Sequence, residues 1–333
     1  MPWRRRILRI MLILVLVPPL LAGVAGWLVA PGFLHPLRRE LTPDLLREAD
    51  ASFAHSGGQR QDFEVSASDG AKLRGWLVQA RDPNGSWVLL FHGVADNRMG
   101  VIGQSEFLLR AGYNVIMMDA RAHGASDGPI ATYGWLERND ARAIIDTLLA
   151  SEQNREISVQ RSTIFPLDMD VKPRPHIFAL GESMGAGIAL QSAAIDPRIE
   201  GVVAEASFAD LREATYDYAG LRRSPLLGKT LFRPFTWTLL LRGEKLTGFP
   251  IAEVSPEKAV ASRAFPVLLI CDENDDALPC RHTRLIYDAA RGPKRLWIVP
   301  GAFHTAALGF QPAEFERRVL EFFANIAAAK HVQ

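Results

Sequence analysis

Net charge is what this 333-residue chain has least of: 38 Lys and Arg against 37 Asp and Glu leave a formal +1. Nothing in that balance attracts nucleic acid, so no nucleic-acid partner is expected. Cysteine is scarce too, with Cys271 and Cys280 the two present. A bridge between them would close a short loop, worth about 2–3 kcal/mol on the chain-entropy view. Two unrelated small apolar residues are the alternative. Internal repeats and low-complexity tracts are absent. The remainder, 48% apolar and 23% charged, is an ordinary globular composition, enough for one large α/β domain and an appendage.

Asp, Glu, Lys and Arg are all missing from Ile10 to Leu37, directly after Arg4, Arg5, Arg6 and Arg9. Roughly 20 apolar residues cross a bilayer core as a helix, and Ile10–Ala30 is about that long. The basic cluster predicts a cytoplasmic N-terminus, with the rest of the chain exported. A cleaved signal peptide is the competing reading, with Met11–Leu21 as its apolar region and Gly23-Val24-Ala25 as a poor cleavage site. Pro18 and Pro19 are able to interrupt the helix under either reading. The apolar run continues through Trp27-Leu28-Val29, which favours an uncleaved anchor.

The expected organisation is therefore an anchor or signal peptide at 1–37, a polar connector at 38–61 with a short helix at Pro43–Ala49, and an α/β domain over 62–330. Asp62–Ser66 and Leu73–Gln79 alternate in polarity around Asp69-Gly70, a hairpin signal. Apolar runs predict further strands at Trp87–Phe91, Val115–Met118, His176–Leu180, Gly201–Glu205, Val267–Cys271 and Leu296–Val299. Helices are expected at Ser105–Ala111, Leu136–Leu149, Ala186–Ala194, Arg281–Ala290 and Ala313–Ala328. This alternation implies a mostly parallel sheet with helices on both faces, binding ligands beyond the carboxyl ends of its strands. Two stretches are too long for ordinary connections. Residues 151–174 have no assigned role, and 207–264 is expected to be helical and to form a lid or substrate wall.

Ser183 carries the chemistry. It sits in Gly181-Glu182-Ser183-Met184-Gly185, between an expected strand and an expected helix, where a tight turn lifts Oγ towards solvent. A serine hydroxyl needs a base, and the base needs an acid to hold its tautomer. In the chain order serine, acid, histidine, His304 fits as the base, in the loop Pro300–His304 after the last strand. His331 lies in the terminus, and His282 lies inside an expected helix. The loop after Val267–Cys271 offers Asp272, Glu273, Asp275 and Asp276. Asp275 is the first choice, with Asp276 and then Asp272 as alternates. For the oxyanion, the Met184 N–H follows the nucleophile at a helix start, and the Val94 N–H follows His92-Gly93 at a central strand end.

At this point the chain resembles the α/β-hydrolase superfamily, from about residue 62 to 328. His92-Gly93 is similar to its oxyanion motif, and Asp119–Gly128 to its D-x-R-G-H-G-x-S-x-G segment, with Ala122 in place of one Gly. Gly181–Gly185 matches the nucleophile elbow, Asp275–Pro279 resembles the acid loop, and His304 after Pro300-Gly301 matches the histidine loop. Cys271-Asp272 stands where the family commonly has His-Gly or Gly-Gly. Val254-Ser255-Pro256 looks closest to a membrane-anchored subgroup. The resemblance implies an α/β-hydrolase fold with a helical lid-like insertion. It implies a serine hydrolase of carboxylic esters or thioesters that needs no metal or cofactor and acts on a small-molecule or lipid-like acyl substrate. His123, Asp119 and Arg121 are expected to be structural, orienting the loop beneath the site. A serine peptidase of the same fold and a non-catalytic binding protein are the alternatives.

Overall fold

In the computed structural model, the described residues are 2–162, 174–221 and 224–330. The apolar N-terminus is one helix, α1 (Pro2–Leu34), which runs unbroken through Pro18, Pro19 and Pro31. The prolines do not end it, as is common in helices made for an apolar surround. Residues 38–61 are more than a connector. Thr42 caps α2 (Pro43–Ser56), and Gly57 closes it at φ 74°. Ala49 and Phe53 of α2 are buried, and the Phe53 ring meets Trp76 edge-on at 5.7 Å.

Strand β1 (Gly58–Ser66) then pairs antiparallel with β2 (Lys72–Ala80) through the turn at Asp69-Gly70, the hairpin foreseen from alternation. There follow β3 (Ser86–Phe91), α3 (Ile102–Arg110), β4 (Asn114–Met118), α4 (Glu137–Ser162), β5 (His176–Glu182), α5 (Met184–Ile195) and β6 (Ile199–Glu205). The expected insertion at 151–174 is in its first half a continuation of α4, and 163–173 falls outside the described residues. The stretch 207–264 is helical where described: α6 (Leu211–Tyr218), α7 (Pro225–Lys229), α8 (Arg233–Thr247) and α9 (Pro256–Ser262). The chain closes with β7 (Val267–Asp272), α10 (Arg281–Ala289), β8 (Lys294–Val299), α11 (Ala307–Phe310) and α12 (Pro312–Lys330).

The strands form one eight-stranded sheet in the order β1-β2-β4-β3-β5-β6-β7-β8, parallel from β4 to β8. One apolar core fills each face, with Leu148, Ile188 and Ile286 on one side and Phe53, Phe107 and Phe323 on the other. From β3 the chain moves towards β4, and from β5 it moves towards β6. Their carboxyl ends therefore flank the crevice where the winding reverses, the usual ligand position in such sheets.

Cys271 at the end of β7 is bonded to Cys280 at the start of α10, with Cα atoms 5.4 Å apart. The bridge staples the two ends of the loop that carries Asp275. Cys271→Ser should therefore lower the Tm by several degrees under oxidising conditions, for a loss of about 2–3 kcal/mol. Reductant should lower the wild-type Tm and leave the variant's in place. Equal melting temperatures for the two proteins without reductant would show that the bridge adds no stability.

Candidate active site

Ser183 links β5 to α5 at φ 51°, a left-handed conformation that costs a serine about 1–3 kcal/mol. The surroundings hold it there. Its N–H donates to the Glu205 carbonyl of β6 at 2.9 Å. A Cβ on Gly181 would overlap the Gly185 carbonyl, and one on Gly185 would overlap the Phe91 carbonyl. The two glycines thus let the turn close against itself and against the end of β3. Contrary to the expectation of an exposed Oγ, Ser183 is only 7% accessible. It lies at the floor of a pocket, because α6 and residues 32–36 stand over it.

Three residues distant in sequence meet here. His304 Nε2 is 2.9 Å from Ser183 Oγ, and His304 Nδ1 is 2.6 Å from Asp275 Oδ2. With the Nδ1–H donating to the carboxylate, Nε2 is left as an acceptor for the serine hydroxyl. The other Asp275 oxygen accepts the Ala277 and Leu278 N–H groups, both at 2.8 Å, so the carboxylate is held from both ends. The neighbouring acids do other things. Glu273 accepts the Gly301 N–H at 3.0 Å, Asp276 is exposed, and Asp272 is buried behind the histidine loop. His282 is bonded to Asp217 at 2.7 Å, away from Ser183, and His331 lies outside the described residues.

Val94 and Met184 line the pocket together with Ser183. Behind them His92 is fully buried, and its two ring nitrogens have different partners. Nδ1 lies 2.7 Å from the Gly93 carbonyl, and Nε2 accepts the Ala120 N–H at 3.0 Å. These partners fix one neutral tautomer, Nδ1–H, and burial pushes the ring's pKa down. His92 thereby ties the Gly93 loop to the segment after β4. His123 stacks edge-on against it at 5.2 Å, neutral as well, its pKa pushed down to about 4 by burial. Asp119 and Arg121 are both structural, as expected, but they do not bond each other. Asp119 accepts from Arg98, at 2.7 Å to Nη2, while Arg121 bonds Asp140 and Asp69. Two separate buried ion pairs brace the loop, because Arg98 enters from the 3₁₀ turn after β3.

A cluster of buried carboxyls beneath the site was not foreseen. Asp272 Oδ2 accepts the Thr305 N–H and Glu205 Oε1 accepts the Ala307 N–H, each at 2.9 Å, so the two acids grip the backbone that follows His304. Asp272 Oδ1 and Glu205 Oε2 are buried without a hydrogen-bond partner. Burial first, then the nearby charge of Asp275, pushes Asp272 up to about 6, and burial with the charges of Asp272 and Glu182 pushes Glu205 well above the ordinary carboxylate range. Glu182, which accepts from Gln104 Nε2 at 3.1 Å, is pushed up to about 8, first by burial. A proton retained on Glu205 or Glu182 removes a charge that would be costly to bury. Glu182, Glu205 and Asp272 end β5, β6 and β7, and it is the order of these strands in the sheet that brings the three together.

The pocket over Ser183 has a volume of about 240 Å³ and is walled largely by apolar groups. Leu211, Ala214 and Thr215 come from α6, Tyr133 from the segment before α4, and Gly32, Phe33 and Pro36 from the end of α1 and just beyond. The last three belong to the N-terminal segment, which composition sets apart as an appendage but the fold places in the pocket wall. The Tyr133 hydroxyl donates to the Phe33 carbonyl at 2.7 Å, and the two rings stack at 4.8 Å. No group of three His, Cys, Asp or Glu suited to a metal occurs among the described residues.

A strand–serine–helix elbow at the reversal of a mostly parallel sheet defines the α/β-hydrolase fold. A family model described as alpha/beta hydrolase fold matches residues 86–223, and the chain has the α/β-hydrolase fold. The uncharacterised protein YqkD of Bacillus subtilis is 27% identical over 80% of this chain and 80% of its own length. The uncharacterised protein YfhR of Escherichia coli is 24% identical over 79% of this chain and 80% of its own length. Among solved structures, the esterase Pf2001 of Pyrococcus furiosus superposes with a TM-score of 0.64 at 22% identity, covering 88% of this chain and 99% of that one.

The raised Glu182 pKa has a consequence for stability. A carboxyl that stays protonated when folded but ionises when unfolded makes stability fall as pH rises between its two pKa values. For Glu182 that window runs from the ordinary 4.5 to about 8. Glu182→Gln cannot ionise, so its Tm should fall less than that of the wild type between pH 5 and pH 8, by a few degrees. Parallel Tm curves across that range would contradict the buried-acid assignment.

Proposed function

We propose that this protein is a serine hydrolase of carboxylic esters or thioesters, held at a membrane by an uncleaved α1 with its N-terminus in the cytoplasm and its catalytic domain exported. The observation that carries the chemistry is the continuous hydrogen-bonded line from Asp275 through His304 to Ser183, at 2.6 and 2.9 Å. Ser183 Oγ attacks the acyl carbonyl as its proton passes to His304 Nε2. Asp275 stabilises the imidazolium and keeps it in place. The Val94 and Met184 N–H groups receive the oxyanion. Collapse breaks the bond to the alcohol or thiol, which leaves with the proton from His304. Water then repeats the sequence on the acyl-enzyme and frees the acid and Ser183.

The apolar pocket walls favour an acyl substrate over a peptide backbone, which would need polar partners along its length. The disulfide fits an oxidising compartment. Retention of α1 is favoured by its bonds to the body: the Ala131 N–H donates to Leu34 O at 2.9 Å, and Thr238 Oγ1 donates to Gly23 O at 2.6 Å. The second of these lies at the poor cleavage site itself.

Ser183→Ala should abolish labelling by a fluorophosphonate probe and lower kcat/KM for a p-nitrophenyl ester by at least about 10³-fold. Asp275→Asn should cost about 10⁴ in kcat, while Asp276→Asn should stay within about twofold of wild type. A Ser183→Ala protein with full esterase activity would remove this mechanism.

A further inference from the structure

The end of α1 walls the pocket, and the length of α1 decides where that pocket lies relative to a bilayer. At 1.5 Å per residue, Ile10–Leu21 reaches only about 18 Å, short of the roughly 30 Å of hydrocarbon. The missing depth must come from the following turns. Those turns are not free: Gly26 packs so closely on α8 that a Cβ there would overlap the Phe235 carbonyl, and Thr238 bonds Gly23. If α1 spans the membrane, the flank of α8 enters one leaflet beside it. The surface of that region suits such immersion, since Leu226, Leu227, Phe232 and Trp237 are all exposed. Arg212 and Arg233 are exposed on the same flank and border a recess with Glu213, Tyr216 and Trp237, so water and polar headgroups must reach that recess. Trp27, with the Arg242 guanidinium at 5.2 Å and the Lys245 ammonium at 5.6 Å from its ring, has the composition of an interface belt.

Gly32, Phe33 and Pro36 then stand just beyond the hydrocarbon, at the headgroup boundary, where the ester bonds of lipids lie. About 18 Å back along α1, a second apolar hollow of about 590 Å³ lies between Pro18, Leu21 and Ala25 on one side and Leu221, Phe232 and Phe235 on the other. Segment 214–221 borders both spaces, with Ala214 and Tyr218 at the first and Ala219 and Leu221 at the second. No residue lines both spaces, but each is bordered by α1 and by this segment.

We propose that the substrate is an acyl ester of a bilayer lipid, hydrolysed without leaving the leaflet, its ester at Ser183 and its tail laid along α1 towards the hollow. This rests on Ser183 as nucleophile and on α1 as a retained anchor. The membrane helix is then part of the substrate site, with Gly32 and Ala25 setting which tails fit.

The test uses the full chain in phosphatidylcholine nanodiscs, with monooleoylglycerol in the bilayer and p-nitrophenyl acetate in solution. A side chain on Gly32 would meet no protein atom within 4 Å, so Gly32→Phe adds bulk to the pocket and not to the core. Ala25→Trp fills the hollow from an exposed position on α1. The ratio of kcat/KM for the bilayer ester over the acetate should fall about tenfold or more in Gly32→Phe and severalfold in Ala25→Trp. Ratios within about twofold of wild type in both variants would overturn the lipid track and leave the triad untouched. A wild type that turns over the acetate but not the bilayer ester would also overturn it. Absence of fluorophosphonate labelling in the wild type would instead bring down the nucleophile assignment, and this inference with it.

Discussion

Everything at the candidate site hangs on how closely the turn at Ser183 can approach its neighbours. The serine holds a left-handed backbone because Gly181 and Gly185 have no side chains to keep β5, α5 and the end of β3 apart. That contact sets the serine against the Gly93 loop on one side and, through its N–H on the Glu205 carbonyl, against β6 on the other. Without it the Gly93–Val94 backbone and the start of α5 could not face the same point. The strain is local, and the cost is spread over the packing of three strands.

Much of this was legible in the sequence, and the reason is physical. Strands such as Trp87–Phe91 and Val267–Cys271 are buried on both faces and read as unbroken apolar runs, so their positions survive to within a residue or two. The meeting of Ser183, Asp275 and His304 was legible because each sits in a loop at a strand's end, in the chain order serine, acid, histidine. What stayed hidden depends on pairings that local patterns do not encode. Arg98 rather than Arg121 reaches Asp119, since a 3₁₀ turn after β3 brings it there. Asp272 looked like a spare acid in a crowded loop, yet it anchors the backbone behind His304. Residues 38–61 looked polar enough to be a connector, but Phe53 of α2 is buried against Trp76.

The N-terminal segment is the larger departure. Composition marks it as apolar and sets it apart from the α/β domain. The fold joins the two: Phe33 stacks on Tyr133, Leu34 accepts from Ala131, and α8 lies along Gly23 and Gly26. Small residues on α1 allow that approach, and they are unremarkable in a sequence where many residues are small. The same contacts leave Ser183 sheltered, although the tight turn by itself would present it openly.

The hydrogen bond between His304 and Ser183 joins positions 121 residues apart, and the one between Tyr133 and Phe33 joins positions 100 apart. Such distant pairings form late in folding. Synthesis runs from the N-terminus, so the helix that walls the pocket emerges first and the histidine last. A ribosome entering the final tenth of the message therefore holds a chain with Ser183, Asp275 and the apolar wall already made, and no His304 to join them.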